Sequence, residues 1–427
     1  MANLINIKEL FTPNISNNLV NKTKGDRVIW GIVVILTLIS LLVVYSSTGS
    51  LAYKYSKSTE SYLFKQFAFI VLGLLVIYFA HRVNYTIYAR VAKILFLVSI
   101  PLLIYTLFFG VQLNAGSRWI KLPVINMTFQ TSDMAKLALF MYLSLQLSRK
   151  QNVIKDFKKG FLPIVIPVII ICALIAPANL STALLVGATS FMLMFIGRVK
   201  TKHLLLSMGA ALVPIFFLFI IAVSTYDKAA HKSKELPAIF DAGRVKTWVS
   251  RIQTFVYSNK NDETEKTYQI NQAKIAIANG SWFGKGPGNS EARNFLPHSY
   301  SDFIYAIIIE EYGLFGAAFM IFIYLLFLYR CIRLYRKCPF AFGAFLALAL
   351  SFTLVIQAIA NMGVAVNAFP NTGVTLPLVS MGGSSFLFTC LAIGIILSVA
   401  RNVEQQEGKL QPQLVKETEE QNINEEE

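Results

Sequence analysis

The sequence predicts an all-α, polytopic membrane protein with about ten transmembrane helices. Of its 427 residues, 55% are hydrophobic and only 15% are charged, and the mean hydropathy is +0.56. Ordinary soluble domains have about 45–50% apolar and about 25% charged residues. The apolar residues also fall in runs close to the ~17–25 residues that cross a bilayer. Soluble globules, disordered chains and disulfide scaffolds are therefore excluded as fold classes.

Ten apolar runs predict the membrane spans. A very short connection at residues 177–180 joins the fifth and sixth runs, which predicts a tight re-entering hairpin. The chain divides into a cytoplasmic N-terminal segment (1–27), a ten-helix membrane domain (28–403) and an acidic, disordered cytoplasmic tail (404–427). The approximate limits of the spans are 28–48, 63–80, 87–110, 132–148, 161–177, 181–197, 203–224, 302–329, 340–365 and 378–400.

Basic residues in the short loops predict the orientation. Cytoplasmic loops carry an excess of Lys and Arg, so the side with more of them faces the cytoplasm. Both termini are then cytoplasmic, and residues 225–301 form a long extracytoplasmic loop between helices 7 and 8. The formal charge of +16 reflects this orientation rather than nucleic-acid binding. One side holds Lys22, Lys24, Arg27, Arg82, Arg90, Lys93, Arg149, Lys150, Lys155, Lys158, Lys159, Arg198, Lys200, Lys202, Arg330, Arg333, Arg336 and Lys337, and the other only Lys54, Lys57, Arg118 and Lys121.

Ionisable residues at membrane depth are functional candidates because a bilayer makes them costly. Asp133 and Lys136 open the fourth span three residues apart, on one helix face, and can form an ion pair. A purely structural pair is the alternative. In the preceding outer loop, the planar guanidinium of Arg118 suits a lipid phosphate or a pyrophosphate. The adjacent Trp119 suits a membrane interface.

The eighth span opens with three polar features. Pro297 ends any preceding helix, and Ser301 or Asp302 can cap the new one. Asp302 then lies near the outer water boundary. Glu310 and Glu311 follow about 12–14 Å deeper, where they can hold helices in register or couple them.

Two glycine-bearing segments face the same predicted side. In residues 280–290, Gly286 and Gly288 permit tight turns and a close approach to a ligand. This segment lacks the strand-to-helix context of a nucleotide loop, which excludes ATP binding. In residues 377–385, which include Ser384, small side chains permit close helix packing. The four cysteines show no metal-ligand spacing.

Three long segments resemble the motifs of one family. Residues 114–143 are similar to the pattern NGARRWI…FQPSE.AKLAL..YL, residues 268–316 to Q..QA..AI..GG..G.G.G.S…LPE.HTDFIFA.I.EE.G..G, and residues 361–400 to N.G...G..P.TG..LPF.SYGGSS. On these segments the chain is identified as a member of the SEDS family, the FtsW/RodA/SpoVE proteins. Within the family, the wording of residues 301–313 and the extended N-terminus favour the division branch over the elongation branch.

The resemblance implies an inverting glycosyltransferase that polymerises lipid II, a sugar carried on undecaprenyl diphosphate, at the outer face of the cytoplasmic (inner) membrane during cell division. It also implies a class B penicillin-binding protein as partner, together with other division proteins, membrane lipid and the growing glycan chain. Ten spans with buried acids suit transport as well, so a lipid II flippase is the alternative. A RodA-type elongation polymerase is a second alternative.

The resemblance also suggests roles for individual residues. The essential aspartate of the family's TDF motif matches Asp302, the expected catalytic base. Where the family pattern has Glu, His and Thr, this chain has His298, Tyr300 and Ser301. The sequence requires no cofactor, although Mg²⁺ or Mn²⁺ could neutralise a leaving pyrophosphate. The residues expected to bind substrate are Arg118, Trp119, Asp133, Lys136, Gly286, Gly288, Ser301 and Ser384, and those with structural or coupling roles are Glu310 and Glu311.

Overall fold

The computed structural model describes residues 25–49, 58–113, 116–121, 128–227, 232–233, 245–257, 265–297 and 299–426. Within these ranges the chain is mainly helical, with a three-stranded and a two-stranded antiparallel sheet. The helices are α1 (Arg27–Ser47), α2 (Thr59–Arg82), α3 (Tyr85–Phe109), α4 (Thr131–Arg149), α5 (Leu162–Ile175), α6 (Leu180–Ile196), α7 (Thr201–Ser224), α8 (Val245–Tyr257), α9 (Glu265–Gly280), α10 (Ile304–Lys337), α11 (Ala341–Ala365) and α12 (Ser384–Glu426). The strands are β1 (Val111–Leu113), β2 (Gly116–Lys121), β3 (Thr128–Gln130), β4 (Tyr226–Asp227) and β5 (Lys232–Ser233).

Eight helices of the described chain are long and apolar enough to cross a membrane. They are α1, α2, α3, α5 with the π turn before it, α7, α10, α11 and the first part of α12. This finding confirms an all-α, polytopic membrane protein. Helices also cover the other two predicted spans. Of these, α4 carries Asp133 and Lys136, and α6 has only 17 residues. The number of crossings and the side of each loop stay predictions.

Helix α11 lies at the centre of the bundle. It packs against α4, α6, α10 and α12, and 83% of its most apolar stretch is inside the protein. Helix α7 is the opposite extreme, with 11% inside, and presents most of its apolar surface outward. Apolar side chains on such a surface match the lipid tails of a bilayer. Because α11 is central, the polar side chains on α11 lie inside the protein and away from lipid.

Three segments differ from the sequence predictions. Helix α10 begins at Ile304 after Phe303, so neither Ser301 nor Asp302 caps it. Helix α12 begins at Ser384 rather than near residue 378, because residues 376–383 form turns that connect it to α11. The tail from residue 404, predicted to be disordered, continues α12 as helix to Glu426. Its many Glu, Gln and Lys residues have high helix propensity. Of its side chains, those of residues 404–406 are described.

The predicted N-terminal segment and long loop are described only in part. Residues 1–24 lie outside the described residues. Of the predicted extracytoplasmic loop 225–301, the described parts contain α8, α9 and a 3₁₀ turn at Ala292–Asn294. The loop is therefore largely helical where it is described. Gln253 of α8 donates to the carbonyl of Ala222 on α7 at 3.0 Å, which ties α8 to the end of that helix.

Helix α10 is interrupted at Gly313, whose φ of 68° and ψ of −167° are not helical. Residues 281–286, which we call the glycine loop, lie against this break. An added Cβ on Gly284 would come within 2.2 Å of the Glu311 carbonyl oxygen, so only glycine permits this approach. Backbone groups freed by the break need partners, above all within a membrane. The amides of Lys285 and Gly286 donate to the carbonyls of Glu310 and Glu311, and those of Leu314 and Phe315 to the carbonyls of Ser281 and Trp282.

Candidate active site

The segment that carries Asp302 is fixed by its own backbone. The carbonyls of Tyr300, Ser301 and Asp302 accept hydrogen bonds, in order, from the Met381 amide at 3.1 Å, the Ser380 hydroxyl at 2.7 Å and the Asn361 side-chain amide at 2.9 Å. These three donors belong to α11 and to the segment that joins it to α12. Two motif segments that are far apart in sequence therefore meet at Asp302.

The Asp302 side chain is half-buried. The Ser301 hydroxyl donates to its Oδ1 at 2.6 Å. Among the described residues, no hydrogen bond engages its Oδ2. The carboxylate lies just before the first turn of α10, which begins at Ile304. One oxygen is thus held by a neighbour and the other is available to accept a proton.

Residues at the start of α4 reach the same region. The backbone amide of Gln130 donates to Ser384 Oγ at 3.2 Å, at the N-terminus of α12. Within the small sheet, Trp119 on β2 lies opposite Gln130 on β3. Ser384 and Trp119, both predicted site residues, therefore lie together where α4 and α12 begin. Arg118 precedes Trp119 on β2, and its side chain lies outside the described residues.

Asp133 and Lys136 form the predicted ion pair, with Lys136 Nζ 2.7 Å from Asp133 Oδ1. Both side chains are largely buried, and Asp133 Oδ2 has no hydrogen-bond partner among the described residues. A cleft opens beside the pair between α4, α11 and α12, and we call it the polar cleft. Its polar lining consists of Asp133, Lys136, Thr353, Gln357, Ser385 and Thr389.

Helix α11 connects the polar cleft to Asp302. Thr353, Gln357 and Asn361 follow one another at intervals of four residues, so they share one face of the helix. The first two line the polar cleft, and Asn361 binds the Asp302 carbonyl. One turn of helix separates Gln357 from Asn361, about 6 Å along the axis. The side chain that holds the Asp302 backbone therefore lies one turn of α11 beyond an amphiphilic cleft that contains an ammonium group.

Glu310 and Glu311 are buried and face the protein interior. Glu310 accepts from the Ser290 hydroxyl at 2.5 Å and the Ala292 amide at 3.2 Å, and lies 3.6 Å from Lys285 Nζ. Glu311 accepts from the hydroxyl of Ser46 on α1. These contacts tie the end of the glycine loop and α1 to α10, as the structural or coupling role would require. That role itself stays a prediction.

Gly286 and Gly288 occupy turns next to this network. Their φ angles of +93° and +79° lie in the left-handed region that favours glycine. The Gly286 amide donates to the Glu311 carbonyl, so the close backbone approach predicted for this segment is made to α10. Substrate binding by the two glycines is untested.

Two further points concern the site: which residues could hold a metal ion, and which site residues the sequence did not reveal. Among the described residues, no group of three or more His, Cys, Asp and Glu side chains is arranged to hold a metal ion. Asn361 and Ser380 escaped sequence reasoning, although both hold the segment around Asp302. Gln357, which holds the Thr375 carbonyl, escaped it as well. Their signal is the presence of two amide side chains one turn apart in an otherwise apolar helix, where polar groups are expected to bond other segments.

Comparisons with known proteins find relatives over most of the chain. The family model described as Cell cycle protein, which covers FtsW, RodA and SpoVE, matches residues 26–405. A Trichlorobacter lovleyi protein named "Probable peptidoglycan glycosyltransferase FtsW" is 30% identical over 384 residues, which are 89% of this chain and 94% of that protein. A protein of the same name from Thioalkalivibrio sulfidiphilus is 31% identical over 370 residues, 85% of this chain and 86% of the other.

Two solved structures have a similar fold. One belongs to a peptidoglycan synthase complex described as coordinating polymerization and crosslinking. It has a TM-score of 0.68 at 22% identity and covers 89% of this chain and 99% of its own. The other is the rod shape determining protein RodA of Thermus thermophilus, with a TM-score of 0.60 at 22% identity, covering 88% and 97%. The extent of the family match, together with relatives at 30% identity or more, shows that this chain belongs to the FtsW/RodA/SpoVE family.

Proposed function

We propose that this protein is a peptidoglycan glycosyltransferase that polymerises lipid II into glycan strands at the outer face of the cytoplasmic membrane. The observation that carries the proposal is that one face of α11 both lines the polar cleft and holds the backbone of Asp302. An acidic residue held one helical turn from an amphiphilic cleft suits a substrate that has sugar, pyrophosphate and a polyprenyl chain. Relatives named as probable peptidoglycan glycosyltransferases support the same reaction.

In the proposed reaction, a sugar hydroxyl of one lipid-linked substrate attacks the anomeric carbon of another. Asp302 Oδ2 accepts the hydroxyl proton as general base. The new carbon–oxygen bond forms as the bond from the anomeric carbon to the pyrophosphate oxygen breaks, and undecaprenyl diphosphate leaves with the electron pair. Attack from the face opposite the leaving group inverts the anomeric carbon.

The leaving pyrophosphate needs positive charge. We assign this role first to Arg118, whose planar guanidinium can contact two phosphate oxygens at once. Lys136 is the second candidate, because its ammonium already pairs with Asp133 at 2.7 Å. Mg²⁺ or Mn²⁺ bound to the substrate's own phosphate oxygens could add charge, and the effect of EDTA on the rate tests that contribution.

The proposed setting follows from the family and the predicted orientation. We propose a multi-pass protein of the inner membrane that acts at the division septum beside a class B penicillin-binding protein, which cross-links the product. The similar fold in a complex that coordinates polymerization and crosslinking supports such a partner. The division role is favoured because the two compared relatives carry a division protein's name.

The test is polymerisation of purified lipid II in detergent, with the full chain assayed alone and with a class B penicillin-binding protein. In detergent no membrane separates two leaflets, so a flippase has no transport to perform. We expect glycan strands that lengthen with time and need this chain. Lipid II that remains unpolymerised with an active partner present, together with its transfer between leaflets in liposomes, would instead establish the flippase.

A further inference from the structure

A strongly basic surface lies at the ends of α5, α6 and α7, far in sequence from Asp302. Six exposed bases on the α4–α5 connection, the α6–α7 connection and the first turn of α7 form it, and we call it the basic platform: Lys155, Lys158, Lys159, Arg198, Lys200 and Lys202. The α4–α5 connection touches the first turn of α7, because Phe157 and Phe161 pack against the His203 ring at centroid distances of 5.1 and 5.5 Å. The bases therefore belong to one surface.

Acidic residues are scarce in the part of the sequence that carries these bases. Asp156 is the only acidic residue between positions 137 and 226. Its carboxylate accepts the backbone amide of Lys159 at 2.7 Å and caps the π turn at Phe157–Phe161. Within the described part of the chain, none of the six bases forms an ion pair. Among the described residues, the platform is therefore a cationic surface with one acidic residue, Asp156, beside six bases.

One of the helices that support the platform is short for a membrane span. With 17 residues, α6 spans about 26 Å, less than the ~30 Å hydrocarbon core, whereas α5 with the π turn before it has 19 residues. A bilayer adapts to short spans by thinning locally or by attracting flanking residues to its interface. Either response brings lipid headgroups close to the platform. Phe157, 44% exposed between Asp156 and Lys158, is placed as an aromatic side chain that can enter the interface.

The backbone at Arg198 is a second feature that sets this surface apart from an ordinary basic loop. Arg198 follows α6 with φ of 65°, the left-handed conformation in which helix ends usually place glycine. Gly197 stands one position earlier, and an added Cβ there would come within 2.8 Å of the Leu147 side chain. An arginine, exposed like the other five bases, therefore occupies a position with a left-handed backbone.

We propose that the basic platform binds the phosphate groups of anionic phospholipids in the adjacent leaflet and holds them as an ordered shell around the α5–α6 hairpin. Clusters of four to eight Lys and Arg beside a membrane span attract anionic headgroups. Arginine contacts two phosphate oxygens at once, and lysine acts as a compact charge. The commonplace alternative is that these bases only orient the loops and attract anionic lipid no better than any other basic loop.

Native mass spectrometry of the full chain, with phosphatidylglycerol titrated into micelles, separates these alternatives. The test variant carries Lys158→Gln, Lys159→Gln and Lys200→Gln. The matched control carries Arg90→Gln, Arg333→Gln and Arg336→Gln, which remove three exposed bases elsewhere on the same predicted side. Each base near an anionic surface changes affinity about fivefold. We expect the test variant to bind phosphatidylglycerol at least tenfold more weakly, and the control to bind it like the wild type.

Equal losses in the two variants, or a loss in neither, would overturn the proposal. Phosphatidylcholine replaces phosphatidylglycerol in a second titration, and we expect the wild type and both variants to bind it equally. Inorganic phosphate is the third probe. If it displaces phosphatidylglycerol at millimolar concentration, the platform recognises free phosphate rather than a lipid headgroup, and the lipid assignment fails. Equal thermal unfolding of the variants in phosphatidylcholine micelles shows that the substitutions leave the fold intact.

Discussion

Asn361 should affect kcat by positioning Asp302. Its side chain is 1% exposed, and its Nδ2 donates to the carbonyls of Asp302 at 2.9 Å and Val374 at 2.7 Å. Asn361→Ala leaves both carbonyls without this donor, and each unsatisfied buried group costs about 1–3 kcal/mol. If losing the donor to the Asp302 carbonyl destabilises the reactive position of Asp302 by this amount, kcat falls about 5- to 150-fold, at about 1.4 kcal/mol per tenfold.

The assay is steady-state polymerisation of lipid II with a saturating class B penicillin-binding protein. Gln253→Ala is the matched control, since Gln253 is also a buried amide that donates to a backbone carbonyl, that of Ala222 at 3.0 Å, and it does not contact Asp302. We expect Asn361→Ala to lower kcat with little change in KM, and Gln253→Ala to leave kcat within about threefold of the wild type. An equal loss of kcat in both variants, or unchanged kcat in Asn361→Ala, would refute a positioning role.

Three further predictions concern stability and reactivity. Lys136→Met leaves the Asp133 carboxylate buried without its partner, and it should lower the free energy of unfolding by about 3–5 kcal/mol in a denaturation experiment. The double variant Lys136→Met, Asp133→Asn should recover part of that loss in the same experiment. Gly284→Ala puts a Cβ 2.2 Å from a carbonyl of α10 at φ of +79° and should lower the unfolding temperature, while Gly209→Ala, which meets nothing within 4 Å, should not. Burial raises the pKa of the Cys338 thiol, so its thiolate fraction is small at pH 8. The rate of its alkylation by a maleimide should therefore still increase above pH 9. An alkylation rate that levels off near pH 8.5 would contradict this.

The fold class could be predicted because apolar runs of membrane length leave few alternatives. The ten runs coincide with helices whose ends differ by a few residues in most cases. The start of α10 was wrong because a local pattern cannot weigh a side-chain cap against contacts from distant segments. The carbonyls of residues 300–302 accept hydrogen bonds from α11 and from the segment that connects α11 to α12, so α10 begins only after residue 302.

The candidate site could be predicted in part. The Asp133–Lys136 pair follows from spacing alone, since residues three apart share a helix face. The partners of Asp302 do not follow, because Asn361 and Ser380 lie 59 and 79 residues away from the carbonyls that they bind. The glycine loop shows the same limit. Its glycines predict a close approach, but only the fold shows that the approached group is the break in α10 at Gly313.

Polymerisation by Asp302→Asn is the most direct measurement of the central claim. Asp302 does not cap α10, and Ser301 can donate to an amide oxygen as it does to the carboxylate, so the substitution keeps the local shape. The amide cannot accept the hydroxyl proton. We predict a folded variant that still binds its class B penicillin-binding protein but extends lipid II at no detectable rate. Strand synthesis at the wild-type rate would contradict the assignment of Asp302 as the base.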